Sequence, residues 1–93
     1  MAKFTTRVEL HDADEDDYED LHEYMASEGF SRTIDASDGK TYRLPPAEYD
    51  RQGDVNRSTV LADAKRAAKQ TGREYAILVT ESDGRTWYGL DEV

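Results

Sequence analysis

The apolar pattern of the first thirty residues changes its period, and this change limits the folds open to the chain. The segment Phe4–Leu10 alternates apolar and polar residues, as a strand with one buried face does. Residues 14–28 instead place Tyr18, Leu21 and Met25 at helical spacing. A strand followed directly by an amphipathic helix indicates a sheet that is covered by helices.

The middle of the chain predicts a hairpin. Residues 30–34 alternate again, Asp38-Gly39 is a strong turn signal, and residues 41–44 provide the partner strand. Pro45-Pro46 ends that strand because proline has no N–H to give to a ladder. We interpret residues 46–57 as an exposed loop.

A second helix and a final strand follow. Ser58 is the expected N-cap of a helix that ends at Gly72. Its predicted apolar face contains Val60, Leu61, Ala64, Ala67, Ala68 and Thr71. Residues 75–80 predict a buried, central strand, and residues 86–90 are a candidate for one further strand.

The predicted order is β-α-β-β-α-β. This order favours an α+β, ferredoxin-like split βαβ sandwich, with two helices on one face of an antiparallel sheet. At 93 residues, the chain is expected to form a single domain over residues 1–93. It has no Cys and no apolar run of membrane-spanning or signal-peptide length, so we expect a cytoplasmic protein without membrane contact.

The charge is concentrated at the beginning of the chain. The net charge is −9; residues 1–30 hold ten acids and two bases (−8), and the remainder holds eleven acids and ten bases (−1). This balance argues against loose electrostatic binding of nucleic acid, although the near-neutral remainder leaves room for a local basic patch.

The acidic stretch HDADEDDYEDLHEY, residues 11–24, can be compared with a calcium-binding loop. Acidic residues stand at loop positions 1, 3, 5, 9 and 12, from Asp12 to Glu23. Position 6, however, is Asp17 instead of Gly, and a strand precedes the stretch where a helix is required. We interpret it as a helix start, with Asp12 or Asp14 as N-cap, and expect no metal or cofactor.

His11 and Asp12 are the candidate catalytic residues. They lie where the first strand ends and the first helix begins, and a short loop on a firm scaffold often carries functional groups. A His there could take the proton of a ribose 2′-hydroxyl while a nearby Arg offsets the phosphorane charge. The alternative is a surface His beside a capping residue. His22 is interpreted as a boundary residue of the helix.

Arginine and tyrosine residues in the strands are the candidate RNA-binding residues. Arg7 and Arg43 are expected on the uncovered face of the sheet, where phosphate contact and base stacking are feasible. Tyr42 belongs to the same set, as does Arg32, whose side is ambiguous from parity. Cross-strand pairing with acids such as Glu9 is the alternative.

One stretch resembles a known family. The sequence LHEYMASEGFSRTIDASDGKTYRLPPAEY, residues 21–49, resembles the GhoS family, the endoribonuclease antitoxins of type V toxin–antitoxin systems. The similarity consists of a helix ending near Met25, a strand starting at Phe30-Ser31, the turn at Asp38-Gly39, a strand ending at Leu44 and an aromatic at Tyr49.

The resemblance implies a ferredoxin-like fold related to the small nuclease of CRISPR adaptation. It also implies cleavage of the messenger RNA of a small membrane toxin. The function expected from it is an RNA-binding regulator and candidate endoribonuclease. The alternative is a non-catalytic interaction module, in which residues 12–23 dock on a basic protein partner or imitate nucleic acid.

Overall fold

The computed structural model describes residues 2–93, and its elements follow the order β-α-β-β-β-α-β. The elements are β1 (Ala2–Leu10), α1 (Glu15–Ser27), β2 (Thr33–Asp35), β3 (Thr41–Arg43), β4 (Glu48–Gly53), α2 (Arg57–Lys69) and β5 (Tyr75–Glu81).

The main sheet has three strands in the order β4-β1-β5, and both pairings are antiparallel. Phe4, Thr6 and Val8 of the central strand β1 are fully buried, while Arg7 and Glu9 on either side of Val8 are exposed. The alternation predicted for the first strand is therefore confirmed. The chain has an α+β structure with a second, two-stranded sheet formed by β2 and β3.

The two helices supply the other side of the core. Leu21 and Met25 of α1 are fully buried, and α2 packs against β5, β1 and α1. The buried residues of α2 are small at three of four positions: Val60, Ala64, Ala67 and Ala68. Alanine lets the helix axis approach the strands closely, so burial here depends on tight packing.

The helix starts differ in how well the sequence identified them. Asp14 caps α1, and its side chain and that of Asp17 form a reciprocal capping box. The cap of α2 is Asn56, whose Oδ1 accepts the N–H of Thr59 at 2.9 Å. The prediction of Ser58 as N-cap is wrong. Asn56, two residues earlier, is the N-cap, because its side chain accepts a hydrogen bond from a free backbone N–H of the first turn.

Residues 46–57 are not a loop: β4 lies within them and pairs with β1 from Ala2 to Arg7. Only Tyr49 of this strand is a buried apolar residue, and charged neighbours hide the strand pattern. Asp50 is buried through its contact with Arg85, and Arg51 lies between α1 and α2, bonded to Asp63 at 2.9 Å.

The last strand is at an edge of the main sheet, not at its centre. Ala76, Leu78 and Thr80 of β5 are exposed because no helix covers that face of the strand. The candidate strand at residues 86–90 is also absent; instead Glu92 forms an isolated bridge with Tyr42.

The C-terminal segment, residues 82–93, crosses the uncovered face of the main sheet. It leaves β5 with the N–H of Ser82 bonded to the carbonyl of Lys3. Arg85 then bonds to residues of β1 and β4, and the N–H of Arg43 on β3 donates to the carbonyl of Asp91 at 2.8 Å. The segment thus connects the β5 edge with the β2–β3 hairpin.

The hairpin itself leaves the main sheet after one contact. Ser31 and Asp50 exchange two backbone hydrogen bonds, and the chain then bends at Arg32. Across residues 2–93, no helix combines the length and the apolar character that a membrane crossing demands.

Candidate functional site

The junction between β1 and α1 presents His11 and Asp12 to solvent. The N–H of His11 donates to the carbonyl of Glu74 at 2.8 Å, which ties the junction to the turn before β5. Asp12 has φ of 53°, a left-handed conformation that Asp tolerates better than most residues. The junction is thus a short, firmly held loop with two exposed polar side chains.

Arg73 lies beside this junction, a neighbour that the sequence did not indicate. Its Nε is 3.1 Å from Oδ2 of Asp17 in the first turn of α1. Hydrogen bonding from Asp17 lowers the pKa of Asp14, and the charge of Arg73 acts in the same direction. A single Arg in a turn belongs to no sequence motif, so the sequence could not predict that Arg73 contacts the start of α1.

Arg7 lies on the uncovered face of the sheet, as predicted from parity, but it has two acidic neighbours. Its guanidinium is 3.2 Å from a carboxylate oxygen of Glu9 and 3.8 Å from one of Glu48. Half of the Arg7 side chain is exposed, so water screens both pairs. A phosphate at this position would compete with two carboxylates.

Arg43 and Tyr42 lie on β3. Arg43 is exposed, and no carboxylate of residues 2–93 comes within ion-pair distance of it. Tyr42 is half-buried because its ring packs against Trp87, with 5.5 Å between the ring centroids. Arg43 is therefore free to meet an anion, whereas Tyr42 already has an aromatic partner within the chain.

Arg32 lies near His22 and Tyr49, on the helix side of the sheet. Its Nε is buried and has no hydrogen-bond partner in the described part of the chain. Nδ1 of His22 is 2.5 Å from the hydroxyl of Tyr49. Burial and the Arg32 charge both lower the pKa of His22, and burial raises the pKa of Tyr49.

These shifts keep both groups of the His22–Tyr49 pair neutral near pH 7, so the tyrosine hydroxyl can donate to the imidazole. The pair is a part-buried contact between α1 and β4.

The six predicted site residues therefore occupy separate places: the β1–α1 junction, the middle of the uncovered sheet face, the β3 strand and the helix side. Basic and acidic side chains alternate on the uncovered face, and they form no continuous positive strip. A concavity of about 730 Å³ lies elsewhere, lined by Ala2 and Lys3, by residues 34–37 and by residues 81–87.

The outer face of α1 is strongly acidic. Seven carboxylate side chains between residues 12 and 23 are exposed: Asp12, Asp14, Glu15, Asp16, Glu19, Asp20 and Glu23. Five of them lie on α1, which begins at Glu15, and Asp12 and Asp14 precede it. Within residues 2–93, no group of three or more acidic or His side chains is placed to hold a metal ion.

No protein-family model, curated protein or solved structure matches this chain. The resemblance of residues 21–49 to the GhoS family stays a prediction.

Proposed function

We propose that the chain is a GhoS-like RNA-binding regulator with a ferredoxin-like fold, acting in the cytoplasm on a toxin transcript. The observation that carries the proposal is the strand arrangement. The main sheet runs β4-β1-β5, and the Ser31–Asp50 bridge brings the chain that enters β2 to the outer side of β4. This neighbour relationship is compatible with a split βαβ sandwich in which the β2–β3 hairpin forms a separate two-stranded sheet.

Two surfaces support RNA contact. Arg43 offers a cation that no carboxylate of the described residues neutralises. The β1–α1 junction offers His11 and Asp12, with Arg73 beside them. The junction adjoins the acidic start of α1, and Arg73 offsets part of that negative charge, whereas Arg43 has no acidic partner within ion-pair distance among the described residues.

The same junction supports candidate endoribonuclease chemistry. His11 would take the proton of a ribose 2′-hydroxyl, whose oxygen would attack the adjacent phosphorus. The bond to the 5′-oxygen would break, and water would return a proton to that leaving oxygen. Arg73 would stabilise the added negative charge on the phosphoryl oxygens.

The test is incubation of the purified protein with a panel of transcripts, read out by both gel shift and cleavage. We expect Arg43→Ala to weaken binding, and His11→Ala to remove cleavage while the binding that depends on Arg43 is retained. Arg57→Ala is the matched control, because Arg57 is also exposed but lies at the start of α2. Loss of binding in that control would reject our assignment of the surface.

The results separate binding from catalysis. Binding without cleavage would reject the enzyme and retain the RNA-binding regulator. The absence of both, with folded protein and the whole panel, would reject the RNA proposal.

A second candidate function is supported by the charge of α1. None of its exposed carboxylates has an ion-pair partner among the described residues, since Arg73 pairs with the half-buried Asp17, while Arg7 and Arg85 on the uncovered face are paired with acids. This favours a non-catalytic module whose residues 12–23 dock on a basic protein partner or imitate nucleic acid.

The docking candidate is tested by neutralising α1 without touching its cap. The triple variant Asp16→Asn, Glu19→Gln, Asp20→Asn keeps Asp14 and Asp17 in place. We expect it to lose a basic partner that the wild-type chain retains at moderate salt. Neutralising Asp83 and Glu92, two exposed acids of the C-terminal segment, is the control; equal loss in both variants would reject α1 as the docking surface.

A further inference from the structure

The outer edge of β5 is unpaired within residues 2–93, because β5 ends the strand order of the main sheet. The N–H of Ser82 donates to Lys3 and the carbonyl of Glu74 accepts from His11, so even-numbered residues of β5 direct their backbone groups towards β1. The outward backbone groups belong to Tyr75, Ile77, Val79 and Glu81.

This edge lacks the features that normally prevent strand pairing. Its register with β1 is continuous from Tyr75 to Glu81, so no bulge interrupts it. The stretch Tyr75–Thr80 contains no charge and no proline, and Leu78 is 65% exposed on the uncovered face. An uncharged strand edge of this length without a bulge is a template for another strand.

Helix α2 adds side chains above the same edge. Asp63 and Arg66 bond to Arg51 and Glu28, so their side of the helix faces α1. Leu61 is two residues from Asp63, about 160° around the helix, and therefore lies on the far side, over the β5 edge. It is 38% exposed, and Lys65 follows it one turn later.

We propose that a second copy of this chain pairs with β5, antiparallel across a two-fold axis at Leu78. In that register the outward residues face one another: Ile77 pairs with the partner's Val79, and Tyr75 pairs with the partner's Glu81. The six-stranded sheet so formed uses every outward N–H and carbonyl of the strand. It also covers Leu61 and the half-buried side chains of Ile77 and Val79.

Charge complementarity favours a second copy as the occupant. Helix α2 runs from the Ala2 end of the sheet to the Leu10 end, so Lys65 and Lys69 lie towards Tyr75. The two-fold axis brings the partner's Glu81 to that end, beside these lysines. Neither lysine nor Glu81 has an ion-pair partner among the described residues. The symmetry forms this contact twice.

The experiment is sedimentation equilibrium of the full chain over a wide concentration range. We expect a monomer–dimer equilibrium for the wild type. Leu78→Lys puts two like charges together at the axis and should raise the dissociation constant by at least about tenfold. Tyr88→Lys is the control, because Tyr88 is 99% exposed and lies outside the edge. A wild type that remains monomeric up to its solubility limit overturns the proposal.

Two further variants test the backbone edge and the charges. Val79→Pro removes an outward N–H. It should remain folded by circular dichroism but sediment as a monomer, whereas Val79→Thr should sediment as a dimer. Glu81→Lys should weaken the dimer, and adding Lys65→Glu and Lys69→Glu should restore it. A dimer that survives both Val79→Pro and Leu78→Lys uses another surface and overturns the proposal. The proposal is independent of RNA binding.

Discussion

Arg85 and Asp50 form a hydrogen-bonded ion pair across the uncovered face of the sheet, with 2.7 Å between Nη2 and Oδ1. The Asp50 side chain is 8% exposed and that of Arg85 is 18% exposed. The same guanidinium donates to the hydroxyl of Thr5 and to the carbonyl of Phe4. One side chain therefore anchors the C-terminal segment to two strands.

The first prediction concerns this pair. Arg85→Ala leaves the Asp50 carboxylate buried without its cation, and we expect the free energy of unfolding to fall by about 3 kcal/mol. Urea denaturation measures the change. The control is Arg7→Ala, an exposed and screened pair, for which we expect a change of about 0.5 kcal/mol or less. Equal losses in the two variants would contradict the anchoring role of Arg85.

The second prediction concerns the start of α2. Asn56→Ala removes the acceptor for the N–H of Thr59 and should destabilise the protein by about 1 kcal/mol. Ser58→Ala is the matched control: Ser58 lies inside the helix, where alanine is the better helix former, and we expect little change or a small gain. Thermal unfolding of both variants decides between the two caps, and a larger loss for Ser58→Ala would contradict Asn56 as N-cap.

The elements that the sequence identified have regular apolar spacing. Strand β1 and helix α1 each bury one apolar face. Their apolar residues therefore recur at strand or helix spacing, and the sequence predicted both elements close to where the structure has them. Strand β4 was missed because its only buried apolar side chain is Tyr49. Its neighbours Asp50 and Arg51 are covered through Arg85 and Asp63, residues far away in the sequence. Burial that depends on a distant ion pair leaves no periodic trace.

The candidate site shows the same limit. Parity placed Arg7 on the uncovered face, but it could not show that Glu48 stands opposite on β4. Arg73 is close to the β1–α1 junction through the return of the chain after α2, which no local pattern encodes. The sequence could predict which way a side chain points within one strand or helix. It could not predict which charged side chains of different elements pair, because those pairs depend on the three-dimensional structure.

The third prediction is a pH dependence from His22. Its pKa in the folded chain is lowered, chiefly by burial and also by Arg32, from the ordinary value of 6.5. The unfolded chain therefore binds the proton more readily, and stability falls as the pH drops below 6.5 towards the lowered value. Above 6.5 the imidazole is neutral in both states, and this contribution is fully present.

Urea denaturation at about pH 7.5 and about pH 5.5 measures this dependence, because carboxylates titrate mainly below that window. We expect His22→Gln to flatten the slope between these values. His11→Gln is the matched substitution at the other histidine, which is exposed at the β1–α1 junction. An unchanged slope in His22→Gln would contradict the assignment.

The fourth prediction concerns Thr6, which is fully buried at the centre of β1. Its hydroxyl has no hydrogen-bond partner among residues 2–93, while its neighbours Phe4 and Val8 on the same face are apolar. Thr6→Val replaces the hydroxyl with a methyl group of similar size and removes a desolvated polar group. We expect a gain of about 1 kcal/mol in the free energy of unfolding.

Thr5→Val is the matched control, because the Thr5 hydroxyl accepts a hydrogen bond from Arg85 at 2.9 Å and its loss should destabilise the protein. Stabilisation by Thr5→Val but not by Thr6→Val would show that the two hydroxyls have the opposite roles.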